Sequence, residues 1–455
     1  MDYRTALERG LASNPLHRNI KLFMLTSSAT GSVVDERSSN SIIRSEEPRV
    51  LTNVHPRRET RFMFATGIEC SCPVVAGNHR MDQMQCCGHY EHWEKDLSLV
   101  KKMGINFLRY GPPYFKMHLA PGQYDWSFFD RVYARMEELG IEPMIDLVHF
   151  GLPDWMKDFQ NPDFPKYLAE YALAFAQRYP RIKYYTPVNE IFITAQFSGA
   201  FGWWNEQLKG DYSFVTALQH CSMATLLAQQ AILSVSPEAT FVHSESFEYF
   251  HPSSPQCAKQ AQFLNERRFL SLDLIYKHRP SAEMCRYLGE NGVSDTELDW
   301  FLSQDMRRHS ILGADYYYTN EHLLQPDGKF ARCGDMFGLY VVAKQYYERY
   351  RLPIMHTETN RINSLAGDWL RKQWANMMRL RDDGVPVVGF TWYSLTDQMD
   401  WDSALTQPRG HVNTLGLYDL KRQTRPVAKK FRHIIEEYSP LLKRTEHDVP
   451  CVLIG

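Results

Sequence analysis

The sequence predicts a (β/α)8 barrel, and three observations carry that prediction. Eight short apolar runs with strand character succeed one another from residue 62 onward. Helical stretches with an apolar stripe are interleaved with them. The strand runs are apolar throughout rather than alternating, as in Val385-Pro386-Val387-Val388-Gly389-Phe390, so both faces are expected to be buried.

The elements follow in order. The first strand is 62–67. A helix over 92–103 has Trp93, Leu97 and Val100 in its apolar stripe and Leu99 on the adjoining row, with Gly104 placed to end it. The second strand is 105–110, followed by a helix over 126–139 that Gly140 closes. Strand 141–150 precedes helix 164–179, and strand 184–191 precedes a long helix over 212–235. Strands five and six are 240–247 and 311–319, and a helix covers 337–350. Strand 352–357, helix 369–382, strand 385–395 and helix 426–438 complete the series. A doubly wound open sheet is the structural rival. It would usually carry a glycine-rich phosphate loop after an early strand, and none is present.

Residues 1–60 read differently. They are rich in Ser, Asn, Arg and Thr and lack periodicity, which predicts a flexible tail ahead of a single barrel domain at 61–445 and a short C-terminal tail at 446–455. The formal charge of −2 over 455 residues gives no general attraction to nucleic acid or anionic membrane. No apolar stretch is long enough to span a bilayer, and no signal peptide is evident. Nine cysteines without a pairing framework read as reduced thiols in a cytoplasmic protein. Cys70, Cys72, Cys86 and Cys87 with His79 and His89 match no standard zinc spacing, so neither a metal nor a cofactor is expected.

In a (β/α)8 barrel the active site lies at the C-terminal ends of the strands. The polar residues there are Glu69, Arg109, His149, Asn189, Glu190, Glu245, Glu248, Asp315, Tyr317, His356, Glu358, Trp392, Asp397 and Asp400. No nucleophile elbow, His-Glu-x-x-His or Walker motif is present. Of the strand-end residues, Glu190 and Glu358 end strands four and seven, which stand opposite each other in such a barrel, so their carboxyls can face across its mouth.

Tyr185-Thr186-Pro187-Val188-Asn189-Glu190 and Pro353-Ile354-Met355-His356-Thr357-Glu358-Thr359-Asn360 resemble the strand-four Asn-Glu and strand-seven Thr-Glu of glycoside hydrolase family 1. His149-Phe150-Gly151-Leu152-Pro153, Gly313-Ala314-Asp315-Tyr316-Tyr317 and the stretch from Trp392 to Trp401 are similar to further motifs of that family, in the same order. The resemblance implies a retaining β-glycosidase of β-glucosidase type acting on a small β-glycoside. It makes Glu190 the acid/base, with a raised pKa because the ionised Glu358 lies nearby, and Glu358 the nucleophile. It implies that Asn189 bonds the sugar 2-OH, Arg109 keeps Glu358 ionised, and Tyr317 donates to Glu358. His149, Glu69 and Asp315 would serve the sugar. Trp392 would floor its subsite, and Asp400 and Trp401 would reach its outer hydroxyls.

The chain departs from the family pattern at several positions. Thr359-Asn360 stands for Asn-Gly, Asp315 for Asn, Phe150 for Trp, Asp400 for Glu and Glu69 for Gln. The bond-breaking pair is intact while sugar recognition is altered, which describes a divergent branch. Two other activities fit the same residues: a transglycosylase using an acceptor sugar in place of water, and a non-catalytic carbohydrate-binding barrel. A metal-dependent barrel hydrolase is more distant. The oligomeric state is left open.

Overall fold

A computed structural model describes residues 61–442. The tails expected at 1–60 and 446–455 lie outside the described residues. Eight parallel strands close into a barrel in sequential order: β1 (Met63–Gly67), β2 (Phe107–Tyr110), β3 (Glu142–Val148), β4 (Tyr184–Val188), β5 (Thr240–Ser246), β6 (Ser310–Asp315), β7 (Ile354–Glu358) and β8 (Val387–Trp392). β1 pairs with both β2 and β8 and so seals the cylinder. The continuous apolar runs have the expected consequence: β1, β2, β4, β6, β7 and β8 are buried along their whole length.

Inside the barrel, Met63 and Ala65 of β1 meet Phe107, Met144, Tyr184, Val242, Ile311, Met355 and Val388, so every strand contributes to one apolar plug. The plug leaves chemistry to the opposite, C-terminal end. The helices form the outer layer. Helix Ser127–Leu139 shows how sequence sets their ends. Gly140 adopts φ +64°, a left-handed conformation that costs glycine little, and the N–H of Ile141 then donates to Met136 O at 2.9 Å. Gly104, φ +78°, follows helix His89–Lys102 in the same way.

Between β5 and β6 lies structure that the apolar runs do not reveal. It comprises helices Ala258–Arg267, Leu270–Ile275, Ala282–Glu290 and Asp295–Ser303. The last begins with a reciprocal capping box between Ser294 and Glu297. Tyr249–Pro252, Glu321–Leu324 and Phe330–Arg332 form a separate three-stranded sheet. Among the described residues no helix is long and apolar enough to cross a membrane, and the eight cysteines are all free.

One close approach ties the scaffold to the barrel mouth. A Cβ on Gly67, at the end of β1, would meet the Tyr393 ring at 2.2 Å. Gly67→Ala is therefore expected to displace Tyr393 and to lower stability by about 1–3 kcal/mol. Urea unfolding would show this as a shifted midpoint at constant slope.

Candidate active site

The C-terminal ends of the strands surround a cavity of about 620 Å³. Glu190 lines it directly after β4, and Glu358 lines it as the last residue of β7. Glu190 has φ +41°, uncommon for a residue with a side chain. Its N–H donates to Ser244 O at 2.9 Å and its carbonyl accepts from Thr194 N at 2.8 Å, which holds the turn that presents the carboxyl.

Glu358 is gripped from two sides. The Arg109 guanidinium donates to Oε1 at 2.5 Å, and the Tyr317 hydroxyl to Oε2 at 2.7 Å. Arg109 comes from β2 and is buried. It also donates to Asp146 at 2.9 Å and to Asn189 Oδ1 at 2.8 Å, and it lies 3.9 Å from Asp315. Asp146 in turn sits 3.2 Å from His149 Nδ1, while Asn189 Nδ2 is 3.3 Å from His149 Nε2. Arg109 is thus the hub that sets Glu358, Asn189 and, through Asp146, His149.

The charges around this hub do not balance, and the carboxyls divide accordingly. Burial raises the Asp146 carboxyl, but the Arg109 charge and contacts with His149 outweigh it and leave the group below its usual range. Glu190 makes no such pair. Burial first, then the neighbouring Asp315 and Glu358 carboxyls, push it well above the usual carboxylate range. The direction matches the sequence-based expectation, but desolvation leads and Glu358 is only one of the charges responsible. Asp315 is likewise raised, by burial and by Glu358.

Of the expected sugar contacts, Glu69, His149, Tyr317 and Trp401 line the cavity. Asn189, Arg109 and Asp315 lie beneath it, engaged with one another and with Ser244 Oγ, which donates to Asp315 at 2.5 Å. Two expectations need correction. Trp392 is fully buried off the cavity wall, its indole N–H donating to Leu415 O at 3.0 Å, and it is Tyr393 that lines the cavity. Side chains alternate along a strand, so a shift of one residue moves a ring to the other face. Asp400 is turned into its own loop. Its carboxylate accepts the N–H groups of Arg409, Gly410 and His411 at 3.1, 3.0 and 2.8 Å, which leaves it buried and off the cavity wall.

The remaining strand-end candidates are structural. Glu245 accepts from Phe192 N, Ser246 N and Ser271 Oγ, the last at 2.7 Å. His356 bonds Ala314 O at 2.8 Å, and Asp397 pairs with Arg425. Glu248 does line the cavity but is held by Ser246 Oγ, Asn320 and His322. Cys72, Cys86, Cys87, His79 and His89 do not converge on a metal site. Among the described residues the one group with ligand spacing is Cys70, Asp146 and His149, where Asp146 is already committed to Arg109.

Several contributors escaped the strand-end search. Gln398 lines the cavity and donates to Glu69 Oε2 at 3.0 Å. Tyr393 stacks over Arg109, with the guanidinium carbon 5.5 Å from the ring centroid. Phe197, Phe201 and Trp203 form an aromatic wall, with centroid separations of 4.8 Å for Phe197–Trp203 and 4.9 Å for Phe201–Trp203. Alternation could not single out Tyr393, because β8 bulges at Val388 against β7 and counting from that plug residue leads to Trp392. The others lie in loops or in elements of five residues or fewer, too short for a period to mark them.

Residues 74–326 match the family model described as Glycosyl hydrolase family 1. The chain is 21% identical to "Beta-glucosidase A" of Thermotoga maritima over 370 residues, covering 72% of this chain and 81% of that one. It is 23% identical to "Beta-glucosidase" of Agrobacterium sp. over 404 residues, covering 79% and 85%. It is 20% identical to "6-phospho-beta-glucosidase AscB" of Escherichia coli over 415 residues, covering 81% and 87%. Among solved structures, the family 1 β-glucosidase from Thermotoga maritima superposes with a TM-score of 0.71 at 16% identity, covering 83% of this chain and 98% of that one.

Proposed function

This chain belongs to glycosyl hydrolase family 1, and from that premise we propose that it is a retaining β-glycosidase, exo-acting on a small β-glycoside, with β-glucosidase activity as the leading assignment. The observation that carries the reading is the division of labour between its two cavity glutamates. Glu358 is held through both oxygens by Arg109 and Tyr317, while Glu190 is held well above the usual carboxylate range and so remains a proton donor. Retaining hydrolysis needs one group of each kind.

In the proposed reaction Glu358 attacks the anomeric carbon as Glu190 gives its proton to the departing oxygen. Glu190, now ionised, then takes a proton from water, which displaces Glu358 and regenerates the sugar with its original configuration. His149, Glu69, Gln398 and Trp401 face the sugar, and Tyr393 supplies the apolar floor. The names of the relatives support glucose. The 6-phospho-glycosidases among them make a phosphorylated sugar the second one to assay. The free thiols support a reducing compartment such as the cytoplasm.

A panel of aryl β-glycosides (glucoside, galactoside, fucoside, mannoside, xyloside) tests the assignment, with the first-formed anomer read by NMR. Retention is expected, and an inverted product would overturn it. Glu190→Ala should reduce kcat/KM for an alkyl β-glycoside by roughly 10²–10⁴. A dinitrophenyl glycoside, whose leaving group departs without a proton, should be nearly spared. In the wild type, activity should fall as pH rises through the raised pKa of Glu190, because the donor is then lost. That alkaline limb should vanish in Glu190→Ala with the dinitrophenyl substrate.

A further inference from the structure

We infer that the leaving-group side of the cavity is built for an anionic, planar aglycone held by Arg332 and Arg361. This inference rests on the glycosidase reading above. Glu190 and Glu358 are 7% and 4% exposed, whereas Trp203 and Phe330 are 40% and 42% exposed, so the reacting centre is at the closed end and the leaving group points to the mouth. Two cationic side chains line that outer part. The Arg361 guanidinium lies 3.4 Å from the centroid of the Tyr318 ring, and Arg332 Nη1 donates to the Tyr318 hydroxyl at 3.4 Å. Both therefore abut one tyrosine, next in sequence to the Tyr317 that holds Glu358.

Tyr318 engages both side chains, but neither charge is neutralised. Among the described residues neither arginine forms an ion pair. The nearby acids are already engaged, Glu248 with His322 and Asp402 with Arg409. Aromatic rings line the same cavity as the pair: Phe250 and Phe330 lie with centroids 5.5 Å apart and planes tilted by 53°. Guanidinium groups recognise carboxylate, sulfate and phosphate by paired N–H donation, and aromatic walls favour a planar body. The chemical class that matches both features is an aryl group bearing an acidic substituent.

The test compares 4-carboxyphenyl and 4-(methoxycarbonyl)phenyl β-glycosides of a sugar the panel shows to be accepted. Wild-type kcat/KM should favour the carboxylate by about tenfold or more, although the ester is intrinsically the better leaving group. The preference should shrink as ionic strength rises. In Arg332→Gln/Arg361→Gln the carboxylate-to-ester ratio should fall at least tenfold. An unchanged ratio, or a wild-type preference for the ester, would overturn the inference. Turnover of no glycoside in the panel would count against the glycosidase reading instead. The arginine pair is then judged by calorimetric binding of 4-hydroxybenzoate against its methyl ester. Tighter binding of the acid, lost in the double variant, supports the inference, and equal binding refutes it.

Discussion

Glu358→Gly is expected to lower kcat on aryl β-glycosides by on the order of 10⁴-fold or more, with turnover restored by azide as an α-glycosyl azide. The side chain removed is the one that Arg109 and Tyr317 orient from both oxygens, at 2.5 and 2.7 Å, so no neighbour is placed to replace it. Deleting it leaves a gap of carboxylate size against the anomeric carbon, with Arg109 behind it to attract an anion. Azide entering there displaces the β-linked leaving group once, and one inversion gives the α product. The proton donor remains, so the second half of the machinery still functions. Glu190→Ala gives the contrasting result. Its glycosyl-enzyme forms from an activated substrate and is intercepted by azide after a second inversion, so the product is the β-azide. Full activity in Glu358→Gly, or the two azide anomers exchanged between the variants, would defeat the assignment of roles.

The fold was legible because a barrel strand buried on both faces writes itself as an apolar run, and all eight runs found a strand with ends displaced by a few residues. The segments on either side of β6 were not. The helices before it are short, and the small sheet completed after it has strands such as Phe330–Arg332 that are too brief to show a period. At the site, Glu190, Glu358, Arg109 and Tyr317 were found because each sits at a strand end, where position alone fixes direction. Trp392 and Asp400 were misplaced for different reasons. The stretch from 392 to 401 is one residue longer between its tryptophan and its acid than the pattern it resembles. Anchoring on the tryptophan put the wrong ring in the cavity, and Tyr393 holds that place instead. Asp400 follows the bend into a loop that satisfies its carboxylate with three backbone amides, a contact that side-chain spacing cannot foretell. Asp146 was passed over as an inward strand residue. Its role as the link from Arg109 to His149 depends on distances across β2 and β3.

Arg109→Met is the substitution expected to cost most in stability, about 3–5 kcal/mol. The guanidinium is the one cation hydrogen-bonded to Glu358, Asp146 and Asn189, with Asp315 3.9 Å away, and the side chain is 1% exposed. A methionine fills much of its volume but leaves Glu358 and Asp315 without that counter-charge and Asp146 with His149 alone. They must then take up protons in the folded state, so their folded pKa values rise above the unfolded ones. The native state consequently binds more protons than the unfolded chain, and stability falls as pH rises. Urea unfolding should accordingly show a smaller deficit relative to wild type at pH 5 than at pH 8. Arg109→Lys keeps a charge but cannot fork to Glu358, Asp146 and Asn189 together. It should recover part of the stability while kcat/KM remains down by on the order of 10²-fold, because Glu358 is no longer held at the attacking position. A wild-type unfolding midpoint for Arg109→Met at both pH values would show that the Arg109 charge is not what stabilises the buried carboxylates around it.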